Sequence, residues 1–570
     1  MLDLDNKELQ KALQIIQYTR RSLFLTGKAG TGKSTFLRHI CASTKKKHVV
    51  LAPTGIAAIN AGGSTLHSFF KLPFHPLLPD DTRYSIRNLR KTMKYTSERC
   101  KMLREVELII IDEISMVRAD TIDFIDKVLR IYSRNMREPF GGKQLLLVGD
   151  VYQLEPVVKE DELRMLTPYY TSTYFFGAHV WRQMSLVSIE LHKVYRQTDA
   201  KFISILDHIR SGTPTDADLH ALNTRVDTPQ NDSRNGLNIT LSTLRNRVDY
   251  INEQRLAEID GRSAVFTGNI TGEFPASSLP TPVELELKEG AQVIFVKNDI
   301  DRRWVNGTLG VVENIDEAEG LIYVVTEDGE EQIVQRERWS NMRYRYNEKE
   351  KKIEEEEIGS YVQFPLRLAW AITVHKSQGL TFRRVNIDFT GGVFAGGQAY
   401  VALSRCTSLE GITLATPLRH SDIFVRDAIK RFAAGYNDDK TIKTALKESA
   451  ADKEYAEAAQ AFAQGDFDTC LDAFFRAIHH RYDIEKPAPR RLLRRKLGLI
   501  NTLRADNRQL ADELDRQRAL LHRLAAEYTL MGKECEREHM PEAAAANYRK
   551  ALELWPEANE PRERLEKLSL

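Results

Sequence analysis

The first third of the chain carries four short apolar runs, SLFLT (22–26), HVVLA (48–52), ELIIID (107–112) and QLLLVGD (144–150). Each is followed by a polar loop and then by apolar residues at helical spacing. The runs are continuous rather than alternating, as strands buried on both faces must be, and that pattern predicts a parallel α/β lobe over residues 1–186. The chain turns polar and rich in Pro, Asn and Asp at 213–236, and strand and helix patterns return in NITLSTLRNRVDYINEQRL (238–256). A second α/β lobe is predicted from 187–264 and 360–425. Between its halves, residues 265–359 change texture to short β-like runs, VELEL, AQVIFV, TLGVVENI and LIYVVTEDG, broken by Asn306-Gly307 and Asp328-Gly329 turns. They predict a small β-barrel insert, in which the charged stretch EKEKKIEEEE (348–357) is a solvated hairpin. From 426 to 570 the chain is rich in Ala, Leu, Glu and Arg and reads as helix throughout. It is expected to be dispensable for the lobes before it.

Composition narrows the class. A length of 570 residues suggests about four folding units at roughly 150 residues each. With 82 Lys and Arg against 80 Asp and Glu, the net charge is +2. That excludes a polycation of the histone kind, so any nucleic-acid site is a local groove. Cys41, Cys100, Cys406, Cys470 and Cys535 lie far apart, which argues against a zinc module or a disulfide framework. No apolar stretch is long enough to cross a bilayer, and MLDLDNKELQ lacks the order of a secretion signal. The expectation is a soluble cytoplasmic protein with no membrane partner.

The strongest local motif is Gly27-Lys28-Ala29-Gly30-Thr31-Gly32-Lys33-Ser34, a phosphate loop between the strand SLFLT and a helix beginning near Thr35. Its glycines let backbone N–H groups close around phosphate, Lys33 brings a point charge to the outer phosphates, and Ser34 is placed to ligate Mg²⁺. Asp112 and Glu113 emerge together from the run Leu108–Ile111. Asp112 suits Mg²⁺ and Glu113 suits activation of a water. Asp150 ends the third motif strand, and Gln153 could touch a γ-phosphate. Arg196 and Arg405 are candidate cations for the transferring phosphoryl group, although taken alone each is an ordinary surface arginine.

The words around these residues resemble the petite-integration-frequency (PIF) and RecD branch of superfamily I DNA helicases over about residues 8–418. In order they are GKAGTGKS, APTGIAAINAGGSTLHSFF, LIIIDEISMV, LLLVGDVYQLEPV, VYRQTD, LRLAWAITVHKSQGLTF and GGQAYVALSRCTSLEGITL. The resemblance implies an α/β fold of two RecA-like P-loop lobes with an SH3-like β-barrel insert. It also implies ATP and Mg²⁺ between the lobes, Arg196 and Arg405 as arginine fingers, Gln378 beside the nucleotide, and Gln10 as adenine reader. Residues 71–103 occupy the place of a duplex-splitting wedge. Pro53, Thr54, Gly55, Thr65, His67, Ser68 and Phe69 in the first lobe, and Thr373, His375, Lys376 and Ser377 in the second, stand where the family contacts single-stranded DNA through backbone phosphates and stacked bases. Lys28 and Glu155 depart from the family pattern, which often has a small residue at the first and a proline at the second. The runs Lys45-Lys46-Lys47 and RRLLRRK (490–496) read as solvated helix faces.

In the C-terminal region Tyr528, Met531, Gly532, Ala544, Tyr548, Ala551 and Pro556 fall on the spacing of a tetratricopeptide repeat, and Gly465, Phe467, Phe474 and Ala477 match one more loosely. A helical hairpin without a repeat role accounts for the same residues. The reading with most support is an ATP-dependent DNA helicase moving 5′-to-3′ on single-stranded DNA and opening tailed or structured duplexes, with the C-terminal helices open to a protein partner. Two alternatives stand beside it. One is a DNA-stimulated translocase that does not unwind processively, and the other a nucleotide-gated adaptor acting through the C-terminal helices.

Overall fold

Apolar strands β1 (Leu23–Gly27), β2 (His48–Ala52), β4 (Leu108–Ile111) and β5 (Gln144–Val148) lie side by side in one sheet. The computed structural model describes residues 3–568 other than 4, 74, 185, 198, 227–236, 302, 348–351 and 481–486. Two strands without a strong sequence signal, β3 (Ser64–Thr65) and β6 (Val187–Leu191), complete the sheet at its edges, in the order β3-β2-β4-β5-β1-β6, all parallel. The edge position of β6 explains its weak signal, because only alternate residues are buried. Strand side chains alternate between faces. Leu23 and Leu25 therefore pack with helices α1 (Lys7–Tyr18) and α2 (Lys33–Ser43), while Phe24 enters a separate core on the opposite face.

The second lobe is a four-stranded parallel sheet in the order Ala371–Thr373, Ile239–Ser242, Val385–Asp388 and Ile412–Leu414. Its strands come from both sides of the inserted β region. The polar stretch 213–236 separating the two patterns lies outside the described residues from 227 onward. Within 71–103 lie the short helices Thr82–Tyr84 and Leu89–Met93 and the start of Ser97–Glu105; Leu72 and Leu77 ahead of them and Leu89 and Leu103 on them are buried in the first lobe's core.

The strands of the insert are shared among three antiparallel sheets: a two-stranded ribbon, a three-stranded sheet, and a five-stranded sheet completed by Leu366–Leu368. The charged hairpin pairs Glu337–Asn347 with Lys352–Gln363; its tip, 348–351, lies outside the described residues. One face is less solvated than its charge suggests, because Tyr344 is buried against the first lobe and its hydroxyl accepts from the Val50 N–H at 3.0 Å. The bond lies on the flank of β2 that the two-residue strand β3 covers only at Leu51 and Ala52.

The run Lys45–Lys47 is likewise not a solvated helix face. The Lys46 ammonium donates to the carbonyls of Ile16 and Thr19 at 2.5 and 2.6 Å and to Gln144 Oε1 at 2.7 Å. Three donors meet three acceptors at the end of α1, where helix carbonyls lack intrahelical partners. Lys47 pairs with Glu105 at 2.8 Å.

Residues 1–474 and 475–570 are separate compact units. The first therefore runs well past 425. Phe432 stacks on Phe176 with ring centroids 4.3 Å apart, and Ile442 and Ala445 are buried in the α1–α2 core. Arg21 binds Glu448 with two hydrogen bonds of 2.8 and 2.7 Å. Asn437 accepts from the Glu190 N–H at 3.0 Å and donates its own backbone N–H to Ser188 O, so it covers the open edge of β6. Glu155, in place of the family's proline, accepts from Arg426, Tyr174 and the Gly396 N–H and so ties both lobes to this segment.

The second unit contains the helices Pro487–Arg537, Pro541–Leu554 and Asn559–Leu568. Side chains of 487–493, which include the first half of RRLLRRK, lie outside the described residues. Ala544, Tyr548 and Ala551 are buried, and a Cβ on Gly532 would meet the Tyr548 ring at 2.5 Å. Gly532 thus permits the close approach of the first two helices. Gly465, in the first unit, takes the left-handed conformation that ends the helix Asp439–Gln464.

Candidate functional site

Strand β1 ends in the phosphate loop, and α2 starts at Lys33 directly after it. Gly30 has φ +78°, and a Cβ there would lie 2.5 Å from the Arg196 Cβ. A side chain at this position would therefore strain the loop and displace the segment that carries Arg196. A cavity of about 690 Å³ opens above the loop. Ala29 to Thr35, Asp112, Glu113, Gln153, Arg196 and Arg405 all line it. Gly27 forms the floor, its carbonyl accepting from the Lys33 ammonium at 2.7 Å; Lys28 O accepts from the same group at 2.9 Å. Desolvation pulls the Lys33 pKa down, while the carboxylates of Asp150 and Glu113 oppose that shift. Ser34 and Asp112 put a hydroxyl and a carboxylate on one cavity, a hard oxygen pair that fits Mg²⁺.

Glu113 follows β4 with φ 50° and ψ 44°, a left-handed conformation that costs a non-glycine residue about 1–2 kcal/mol. Burial, and after it the neighbouring Asp112 charge, pushes its carboxyl up to about 8. Gln378 of the second lobe donates to Glu113 Oε2 at 2.8 Å and to Gln153 Oε1 at 3.4 Å. Gln153 in turn donates to Asp150 at 3.3 Å. Asp150 is held by both Nε and Nη2 of Arg210 at 3.1 and 2.9 Å, and Arg210 Nη1 reaches Glu190 at 2.9 Å. One polar line therefore runs from Glu113 to the edge strand.

Both candidate finger arginines belong to the cavity wall. Arg405 is buried and donates to Val401 O at 2.8 Å and Leu380 O at 3.3 Å. Burial and the adjacent Arg196 push its pKa down to about 9, so it is still a cation at neutral pH. Arg196 donates to Ser404 O and Gly379 O at 3.5 and 3.4 Å, both at the long limit of a hydrogen bond.

Gln10 lies on the exposed side of α1 and does not line the cavity; Leu9, Asp3 and Tyr195 line that end instead. Tyr195 donates to Asp3 at 2.7 Å. Sequence reasoning also missed three second-lobe groups: Arg210, Tyr400, whose hydroxyl accepts from the Ala29 N–H at 3.0 Å, and Asp207, which pairs with Lys28 at 2.5 Å. Lys28, the departure from pattern, thus joins the phosphate loop to the second lobe.

The candidate strand-binding residues divide by exposure. Thr54, Ser68 and Lys376 are exposed, and Pro53, Gly55, Thr65, His67, Thr373 and His375 are half-buried. Thr54 and Thr65 cap helices α3 (Gly55–Ala61) and α4 (Leu66–Phe70) through their hydroxyls, and Gly55 lies against Ser278 of the insert. Desolvation lowers the pKa of both His67 and His375, favouring neutral rings. Two side chains face inward, contrary to the strand-facing placement expected of them. The Phe69 ring packs edge-on against Phe70 at 4.8 Å because its position on α4 points to the core, and Ser377 Oγ is used up on Val374 O at 2.8 Å.

Two parallel-sheet lobes, a phosphate loop at the end of β1 and arginines converging from beyond it define a two-lobed RecA-like P-loop protein. A PIF1-like helicase family model matches residues 1–219. Human ATP-dependent DNA helicase PIF1 is 36% identical over 405 residues, 69% of this chain and 58% of the relative. The crystal structure of Bacteroides Pif1 with ADP-AlF4 is 39% identical with a TM-score of 0.69, covering 75% of this chain and 96% of that one. The Bacteroides Pif1 complex with ADP-AlF3 and ssDNA is 40% identical with a TM-score of 0.55 over 75% and 96% of the two chains. The chain belongs to the PIF1-like helicase family, and it spans about 58% of the length of the human relative. Among the described residues, no helix is long and apolar enough to cross a membrane.

Proposed function

We propose that the protein is an ATP-driven DNA helicase that moves 5′-to-3′ along single-stranded DNA and opens tailed or structured duplexes. The observation that carries this reading is the hydrogen bond from Gln378 to Glu113, which makes the position of a first-lobe carboxylate depend on a second-lobe loop. Lys33 and the loop N–H groups bind the phosphates. Ser34 and Asp112 would hold Mg²⁺, which when bound neutralises phosphate charge. Glu113 orients and deprotonates the attacking water, Gln153 senses the γ-phosphate, and Arg196 and Arg405 stabilise charge on the transferring group. The leading adenine contacts are Leu9 and Tyr195, since Gln10 lies off the cavity.

Because phosphate ligands come from both lobes, ATP binding draws the lobes together and product release lets them part. The exposed groups of Thr54, Ser68 and Lys376, with backbone N–H groups of their loops, take the strand's phosphates, while Phe69 and Ser377 support those loops from behind. Alternating grip between the lobes converts closure into stepping. Polarity rests on family membership and Bacteroides Pif1's bound ssDNA supports the strand as ligand. The test is ATP-dependent separation of matched duplexes with a 5′ or a 3′ single-stranded tail, with Lys33→Ala as control. Opening of the 5′-tailed duplex alone is expected. Opening of the 3′-tailed duplex overturns the polarity, and DNA-stimulated hydrolysis with no opening reduces the protein to a translocase.

A further inference from the structure

The helix Pro487–Arg537 runs for 51 residues, about 75 Å at 1.5 Å per residue. Its C-terminal part packs against Pro541–Leu554, but residues 501–523 are exposed without a break. Along this stretch and at its two half-buried ends, Ile500, Leu503, Asn507, Leu510, Leu514, Gln517, Leu521 and Leu524 succeed one another at alternating intervals of three and four residues. Six of the eight are Ile or Leu, and Leu503, Leu510 and Leu514 are 55%, 63% and 49% exposed. A seven-residue repeat of this kind is the seam of a coiled coil, and a strip of bare leucines this long on a solvated helix marks an interface.

We infer that residues 500–524 pair with the same residues of a second copy of this chain as a parallel, in-register two-stranded coiled coil. The polar and charged positions select this occupant. Asn507 stands at an a position, where one buried Asn meeting its own counterpart fixes register and two-strand assembly. Glu513 at g and Arg518 at the following e lie five residues apart, the offset at which g of one strand faces e of its parallel partner. Each copy supplies both charges, so two such pairs form. The antiparallel arrangement that keeps leucine facing leucine instead sets Arg504 against Arg518 and Glu513 against Glu513. Like charges there oppose it. The inference rests on this helix alone and does not depend on the proposed activity.

The test is the mass of the full chain in solution, without nucleic acid, by sedimentation velocity at micromolar concentration. Twice the 65.2 kDa of the chain is expected, halved to a single chain by the double substitution Leu510→Lys/Leu514→Lys. These positions are exposed in the single chain, so the variant is expected to keep its helical circular dichroism. A monomeric wild type, or a dimer that survives the double substitution, overturns the inference. Oxidation of Asn507→Cys is expected to give a covalent dimer absent from oxidised wild type. A dimer that instead crosslinks only when Asn507→Cys is mixed with Gln517→Cys overturns the parallel arrangement.

Discussion

Gln378, on the loop after the second-lobe strand Ala371–Thr373, donates to the carboxylate of Glu113 at the end of β4, 2.8 Å away. The same amide reaches Gln153, so a single side chain registers the positions of two first-lobe groups. Glu113 is held by a strained backbone on one side and by this bond on the other. Replacing Gln378 by Ala removes only the second restraint. The expected outcome is a fall of about 10- to 100-fold in DNA-stimulated kcat, the scale of a misplaced reacting group, with nucleotide affinity changed by no more than about 3-fold. Steady-state hydrolysis alongside titration with a fluorescent nucleotide separates the two. A parallel loss of affinity makes Gln378 a nucleotide ligand instead.

Glu113→Gln keeps the shape and the acceptor for Gln378 but cannot take a proton. Loss of a general base costs about 10²- to 10⁴-fold. Hydrolysis is expected to drop within that range while nucleotide and single-stranded DNA still bind. Turnover within a few-fold of wild type removes Glu113 from the role of base.

The sequence was informative where chemistry is packed into contiguous words. Lys33 and Ser34 open α2 directly after a glycine-rich loop, Asp112 and Glu113 follow the four apolar residues of β4, and the parallel sheet places all four on one cavity. Arg210 was invisible for the opposite reason. In FISILDHIRSG it looks like an ordinary cation in the last turn of a helix, and its meaning lies in Asp150 and Glu190, distant in sequence. Phe69 misled because a motif word gives the residue but not the helical phase that turns its ring inward. Glu155 likewise gains much of its role from partners far along the chain, Gly396 241 residues and Arg426 271 residues further on.

Arg210 sits on two carboxylates, of which the Asp150 side chain is wholly buried. Arg210→Met keeps most of the volume and leaves both anions without their cation. Breaking a buried pair from one side costs about 3–5 kcal/mol. Thermal or denaturant unfolding is expected to show destabilisation on that scale. Asp150→Asn/Arg210→Met is expected to recover part of it, because one of the two stranded charges is gone. An unchanged midpoint for the single variant contradicts the network.

The boundary of the first compact unit can be tested by where the chain is cut. Phe432, Tyr436, Ile442 and Ala445 close two apolar cores of the first lobe, Asn437 covers the edge of β6, and Glu448 and Ser449 tie the helix Asp439–Gln464 to Arg21 and Gln14. A chain ending at residue 430 loses all of these at once. Each large apolar side chain withdrawn from a core forfeits about 1.5–3 kcal/mol, and several together exceed the roughly 5–15 kcal/mol that holds an ordinary domain. This shortened chain is expected to be insoluble or inactive. One ending at residue 480 keeps every contact named and is expected to retain DNA-stimulated hydrolysis within about 2-fold, a difference small on the scale of a single interaction. Hydrolysis by both chains, compared with that of the full protein, decides the matter. Full activity in the chain ending at 430 makes the segment 431–449 a passenger.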